Sequence, residues 1–349
     1  MVEIWFAITA VMLAAYVVLD GMDFGAGALG FVVARNDGER RAILRAIGPL
    51  WGWNEVWLLA SGGVLFLAFP RALAVGFAGT YLALCLVLWC FVLRGVAIEA
   101  RNQLADPLWR SFWDVVLALS SLLLMVLFGA ALGNVIRGFP LNETGEFSLA
   151  FFTDFGVRGE VGLLDWYTVS VGVFATVALL AHGASYLVWR TEGALRERCF
   201  AAGRVMWIGV VVLTPLVTLE TFTVRPDLFA QMLERPLAWV GMMVALGGIV
   251  AVITGALGRR AELRAFLGSA AFLAGLLAAA AAAVFPVMLH STLSPEHSLT
   301  AYGAASSEHG LAVALVWWPV ALVLSLGYAF FILRSFRGKV AAEHPGDGY

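Results

Sequence analysis

Asp20 and Asp23 stand three residues apart in an otherwise apolar stretch, Val18-Leu19-Asp20-Gly21-Met22-Asp23-Phe24-Gly25, a spacing that puts both carboxylates on one helix face. Further along, Gly48-Pro49-Leu50-Trp51-Gly52-Trp53-Asn54-Glu55-Val56-Trp57 adds Asn54 and Glu55. Ionisable groups in apolar helices are costly, so each should be paired or functional. Carboxylates buried at one depth and reached through water suit proton uptake, because each can hold and release a proton. Two plainer readings stand beside that one. Asp20 or Asp23 could pair with an arginine, and Glu55 could sit at the positive end of its helix.

Other polar residues are less pointed. Arg94, Glu99, Arg101 and Asp114 fall near helix ends, where long side chains reach water, and read as an interfacial ion-pair cluster. His182, in His182-Gly183-Ala184-Ser185-Tyr186-Leu187, could be a haem ligand, a proton carrier or a hydrogen-bonded packing residue. No second histidine stands at a haem-binding spacing, which favours packing. His290, His297 and His309 lie at or beyond the ends of apolar runs, and His344 is in the tail. Glu220 closes the run Thr214-Pro215-Leu216-Val217-Thr218-Leu219-Glu220; nearby hydroxyls could satisfy backbone groups freed by Pro215, or the acid could line an outer cavity or quinone pocket. Cys85, Cys90 and Cys199 read as packing residues.

The elements that must hold these groups are membrane helices. The 349 residues are 61% hydrophobic and 13% charged, with a mean hydropathy of +0.89, more apolar surface than a water-soluble core could hide. With about 20 residues per crossing, the apolar runs fall near 4–33, 50–69, 74–98, 113–135, 165–190, 203–223, 236–257, 265–288 and 310–334. These predict an all-α polytopic protein of about nine transmembrane helices, as two four-helix bundles plus one peripheral helix. The expected organisation is a first bundle over 1–135, an extracytoplasmic loop over 136–164, a second bundle over 165–288, and an outer loop, ninth helix and tail over 289–349. Gly21, Gly25, Gly27 and Gly30 in the first run offer close helix packing or a local irregularity. That run opens on Glu3 without a basic leader, so it is expected to stay in the mature protein.

Direction follows from basic residues, which resist translocation. Arg71, Arg137, Arg158, Arg225 and Arg235 fall on one side of the spans and the other 17 of the 22 Lys and Arg on the opposite side. The N-terminus is therefore expected outside and the C-terminus in the cytoplasm, which puts Asp20, Asp23, Asn54 and Glu55 in the cytoplasmic half. No nucleotide-binding fingerprint or basic nucleic-acid patch is present.

Taken together, the motifs resemble subunit II of the cytochrome bd-type quinol oxidases, including the cyanide-insensitive forms. They comprise Leu19-Asp20-Gly21-Met22-Asp23-Phe24-Gly25-Ala26-Gly27, Asn36-Asp37 with Glu39-Arg40-Arg41, Gly48-Pro49-Leu50-Trp51 with Asn54-Glu55-Val56-Trp57-Leu58, and Phe69-Pro70. In the second half they continue with Gly162-Leu163-Leu164-Asp165-Trp166-Tyr167-Thr168, His182-Gly183-Ala184 with Thr191-Glu192-Gly193, Phe285-Pro286, Ser298-Leu299-Thr300 and Ala304-Ala305-Ser306-Ser307. The resemblance implies a subunit of a bacterial inner-membrane complex that oxidises quinol and reduces dioxygen to water, with protons taken from the cytoplasm. It implies b- and d-type haems in a partner subunit I, none ligated by this chain, together with membrane lipid, a possible bound quinone and a small accessory subunit. Asp20, Asp23, Asn54 and Glu55 become proton-path candidates, and Trp57, His182 and Glu220 structural or cofactor-proximal ones. One departure stands out: relatives commonly show Trp-Asp-Gly-Asn where this chain has Trp51-Gly52-Trp53-Asn54, so position 52 lacks an acid associated with the proton route. Either Asp20, Asp23 or Glu55 takes over, or uptake runs through subunit I. The rival from another class is a secondary transporter or channel, which would work without a haem-bearing partner.

Overall fold

The chain's computed structural model describes residues 1–157, 159–257 and 261–340. Arg158, Arg259, Arg260 and His344 therefore lie outside the described residues. The helices are α1 (Val2–Val33), α2 (Asp37–Ala68), α3 (Pro70–Gly79), α4 (Tyr81–Ala100), α5 (Pro107–Arg137), α6 (Trp166–Arg190), α7 (Gly193–Val224), α8 (Pro226–Leu233), α9 (Pro236–Leu257), α10 (Glu262–Val284), α11 (Ala301–Ala304) and α12 (Glu308–Ser335). A short antiparallel pair, β1 (Val287–Leu289) and β2 (Leu299–Thr300), joins α10 to α11. Among the described residues, eight helices are long and apolar enough to cross a membrane, or up to nine if α2 and α3 form one broken span.

The helix starts follow local chemistry. Asn36 accepts from the Glu39 amide at the start of α2, and Asp106 caps α5 with Pro107 behind it. Asp165 and Thr168 form a reciprocal capping box on α6, and Ser307 caps α12. Two boundaries differ from the sequence expectation. The second span, expected at 50–69, is the end of a helix that begins at Asp37, because the intervening polar stretch continues helical with Pro49 inside it. The third, expected at 74–98, is divided between α3 and α4, and the chain turns by 118° between α2 and α3. Pro70 explains the turn: it lacks an amide proton and cannot extend α2, yet it suits the first position of α3. Ser306 takes up the carbonyls left free there, donating its amide to Ala68 O and its hydroxyl to Leu67 O.

α1 lies at the centre. It packs on α2 and α5 of the first half and on α6 and α10 of the second, so one apolar core runs through both halves. Gly25 and Gly183 make this contact, since a Cβ on Gly183 would come within 2.5 Å of the Gly25 backbone. The glycines of α1 thus serve close packing and the helix stays continuous through them. Gly183→Leu is accordingly expected to lower the melting temperature of the purified assembly sharply, with Gly183→Ala costing about 1–3 kcal/mol or more by overpacking. Equal melting temperatures for Gly183→Ala and the unchanged chain would disprove a backbone-limited contact.

The stretch expected as a solvated loop, 136–164, is anchored at several points. Leu141 is fully buried, Arg137 is paired with Asp165, Ser291 donates its hydroxyl to Leu141 O, and the Phe139 amide bonds to His290 O. Just after α12, Arg190 donates to Phe336 O and Gly338 O, and Lys339 pairs with Glu262 at 2.7 Å.

Candidate functional site: a buried carboxylate and arginine cluster

α1 and α2 bring the four proton-path candidates together, and α4 supplies a fifth member. Asp20 and Asp23 are both fully buried, as is Asn54. Arg94, 1% exposed, grips Asp20 with two hydrogen bonds, Nη2 to Oδ1 at 2.7 Å and Nη1 to Oδ2 at 3.2 Å. The same Nη2 lies 3.8 Å from Asp23 Oδ2. Asn54 donates through Nδ2 to Asp23 Oδ2 at 2.7 Å and to Leu19 O at 3.1 Å, tying α2 to α1. The guanidinium sits 4.5 Å over the Phe24 ring, which itself stacks on Phe128. Tyr16, one turn before Asp20 on the same face, is buried, and its hydroxyl has no protein hydrogen-bond partner. Glu55 is half-buried on the neighbouring position of α2, with Arg94 and Asp20 as the charges acting on it.

The arrangement has a charge consequence. One guanidinium serves two enclosed carboxylates, so the cluster either carries a net negative charge or holds a proton on one carboxyl. Asp23 Oδ1 and Asn54 Oδ1 have no protein hydrogen-bond partner, and neither have the indole nitrogens of Trp53 and Trp57 on the same helix. Trp57 is buried, edge-on to Trp53 at 5.9 Å, and its carbonyl accepts from Ser61.

Arg94 is the residue that sequence reasoning misplaced. The expected ion pairing holds for Arg101 and Asp114, whose pair extends to Arg40, Asp37 and Arg110 at one end of the bundle, but both are buried and the half-exposed partners around them are what meet water. The interfacial placement fails for Arg94, which turns inward, while Glu99 is exposed. The signal was present: Arg94 is the one charge inside the apolar run 81–98, and an enclosed charge demands a partner. Gly52 lies on an exposed face of α2 with open space where a Cβ would stand. An acid at position 52 would therefore face away from Asp20, Asp23 and Arg94.

The remaining candidates lie elsewhere. His182 is fully buried where α1, α6 and α10 meet, with Nε2 2.9 Å from Val18 O and Nδ1 2.6 Å from Ser269 Oγ, stacked on Phe266. Both ring nitrogens are engaged, so ligation of a metal would break one of these bonds. Among the described residues no group of three or more His, Cys, Asp and Glu side chains could hold a metal ion. Glu220 is half-buried towards the opposite end, beside the Tyr167–Thr221 hydrogen bond of 2.9 Å, and its Oε2 has no protein partner. The hydroxyls of Thr214, Thr218 and Thr221 bond the carbonyls four residues behind them, those of Val210, Thr214 and Val217.

At that same end, outside the spans, His290 lies near Arg225 and Asp227, and Arg225 pairs with Asp227 at 2.8 Å. Burial, reinforced by the Arg225 charge and opposed by Asp227, holds the His290 imidazole below its ordinary range. A histidine lowered on folding favours the fold above its unfolded value near 6.5 and withdraws that support as pH falls through it. The solubilised protein should lose thermal stability on going from about pH 7 to about pH 5, and His290→Gln should flatten that loss. An unchanged pH slope in His290→Gln would refute the assignment.

The family model described as cytochrome bd terminal oxidase subunit II matches residues 1–336. The chain is 30% identical to the probable cytochrome oxidase subunit 2 of Haemophilus influenzae, covering 97% of this chain and 95% of that protein. It is equally 30% identical to the cytochrome bd-I ubiquinol oxidase subunit 2 of Escherichia coli K12, over the same shares. Among solved structures, a chain of the bd oxidase from Geobacillus thermodenitrificans shares the fold, with a TM-score of 0.78 and 17% identity over 96% of this chain and 98% of that one.

Proposed function

The chain belongs to the cytochrome bd terminal oxidase subunit II family, and from that premise we propose that it supports a haem-bearing subunit I and supplies part of a proton-uptake path. The complex so formed oxidises quinol and reduces dioxygen to water. The family membership does not favour a transporter or channel. The observation that carries the proton reading is the enclosed cluster itself: two carboxylates share Arg94, with unpartnered oxygens on Asp23 and Asn54 where a proton or water can be received. Asp23 is the proton-holding group, Asp20 is held by Arg94, Asn54 orients Asp23, and Glu55 is the entry from the half-buried side.

We further propose that the chain is multi-pass in the bacterial inner membrane with its C-terminus cytoplasmic. The gathering of Arg40, Arg101, Arg110, Arg196 and Arg198 with their acidic partners at one end supports this direction. The division into bundles over 1–135 and 165–288 is retained as a proposal, with α1 shared between them. Haem iron belongs, in this reading, to subunit I. His182 is assigned the role of joining α1, α6 and α10, and no haem ligand is assigned to this chain.

The test is co-purification. A tagged chain should bring down a haem-bearing partner, with haem absorption and quinol-dependent oxygen uptake; a colourless preparation lacking such a partner would sink the reading. Because nothing stands within 4 Å of a Cβ at position 52, Gly52→Asp should meet no clash and leave haem content almost unchanged, any fall in melting temperature coming from the cost of a carboxylate on that face of the span. A gain in turnover in that variant would show that a second acid on the exposed face of α2 works alongside the enclosed cluster.

A further inference from the structure

The second half contains a cleft of about 670 Å³ that the proton cluster does not use, within the roughly 300–1,000 Å³ range of ligand sites. α7 packs on α6, α9 packs on α10, and the cleft opens between α7 and α9 with α6 and α10 as its floor. Its walls are apolar: Phe200, Ile208, Val211 and Val212 of α7 face Val252 and Ile253 of α9. Val211 and Val212 follow Ile208 by three and four residues, and Phe200 precedes it by eight, which is one helix face.

The charged groups gather towards the N-terminal end of α7. Among the described residues, Arg196, Arg204 and Glu262 are the charged groups lining the cleft. Glu262 is already engaged by Arg196 and Lys339, each at 2.7 Å, whereas Arg204 is exposed and makes no ion pair among the described residues. α7 has 32 residues and is about 48 Å long, well beyond the roughly 30 Å hydrocarbon layer. The apolar stretch 205–224 by itself spans about 30 Å, which sets Arg204 at the boundary between hydrocarbon and headgroups. Arg225 closes the other boundary.

We propose that this cleft holds an anionic phospholipid from the leaflet on the arginine-rich side, its phosphate on Arg204 and one acyl chain along Ile208, Val211 and Ile253. Charge selects the headgroup. Arg196, Arg204 and Lys339 against Glu197 and Glu262 leave a mouth with one positive charge over, carried by Arg204, and Glu262, with an oxygen engaged by each of Arg196 and Lys339, is a poor partner for the ammonium of a zwitterionic lipid. The cleft's apolar length selects a chain-bearing ligand over a free anion.

Native mass spectrometry of the intact complex, exchanged into phosphatidylglycerol or phosphatidylcholine nanodiscs, tests this. The unchanged complex should retain phosphatidylglycerol and release phosphatidylcholine. Arg204→Gln, which removes the headgroup contact, and Val211→Trp, which fills the chain site, should each lower phosphatidylglycerol retention about tenfold or more. Leu219→Trp, exposed on the same helix but outside the cleft, should retain it fully, and haem content should be constant throughout. Equal retention in all four proteins, equal retention of the two lipids, loss in Leu219→Trp to the same degree, or a quinone occupying the cleft would overturn the proposal.

Discussion

Arg94→Leu is expected to prevent accumulation of the assembled complex at growth temperature, a destabilisation of about 3–5 kcal/mol. Asp20 would be left as a carboxylate enclosed by α1, α2 and α4, without the two hydrogen bonds that now hold it at 2.7 and 3.2 Å. Asn54 reaches only Asp23 and Leu19 O, so it cannot substitute for Arg94 at Asp20. A paired change, Arg94→Met with Asp20→Leu, removes both charges and should recover much of the loss, because an apolar pair of similar volume costs little where an unpaired charge costs a great deal. Thermal unfolding of the detergent-solubilised complexes, followed by haem release on material produced at reduced temperature so that the single variant accumulates, gives the comparison. If the single and double variants melt together, the cost of Arg94→Leu comes from lost packing on Phe24, and the ion pair is not what holds the site.

Asp23→Asn is expected to act differently, leaving assembly intact and slowing turnover. The substitution keeps the shape of the side chain and removes the capacity to bind and release a proton, while the Arg94–Asp20 pair persists. Quinol-dependent oxygen uptake should fall at least about tenfold, roughly 1.4 kcal/mol on the barrier, with unchanged haem absorption. Glu55→Gln should produce a smaller fall, since the residue is half-buried and water can bypass it. Charge movement across the membrane, recorded in reconstituted vesicles, should decline in step with oxygen uptake in both variants. Unchanged turnover and unchanged charge movement in Asp23→Asn and Glu55→Gln together would make the cluster purely structural and would direct uptake through subunit I.

Position 52 ties these outcomes to the departure from the family pattern. The family resemblance implies an acid where this chain has Gly52, and the open exposed face there means that such an acid would look outward from α2 and not towards Asp23. The enclosed cluster is therefore no relocated copy of that acid. It occupies the opposite side of the same helix, on the face presented by Asn54.

Much of this architecture was legible in the chain. Lipid as solvent, the long apolar helices and the placing of Asp20 and Asp23 on one face all follow from local composition and the 3.6-residue period, which need no knowledge of what packs against what. The caps at Asn36, Asp165 and Ser307 belong to the same class, because each involves residues within three positions of one another. Tertiary structure decided the rest. Whether Arg94 snorkels to the interface or turns inward depends on how far α4 is displaced along α1, and no local pattern records that displacement. The bend after Ala68 required Ser306, more than two hundred residues away, to satisfy the exposed carbonyls. The two bonds of His182 needed α1 and α10 to close on α6, and the apolar cleft exists only because α7 and α9 pack on different partners. Periodicity specifies which face of a helix is apolar or charged; the partner that a buried charge finds is set by the depth and rotation at which several helices pack together.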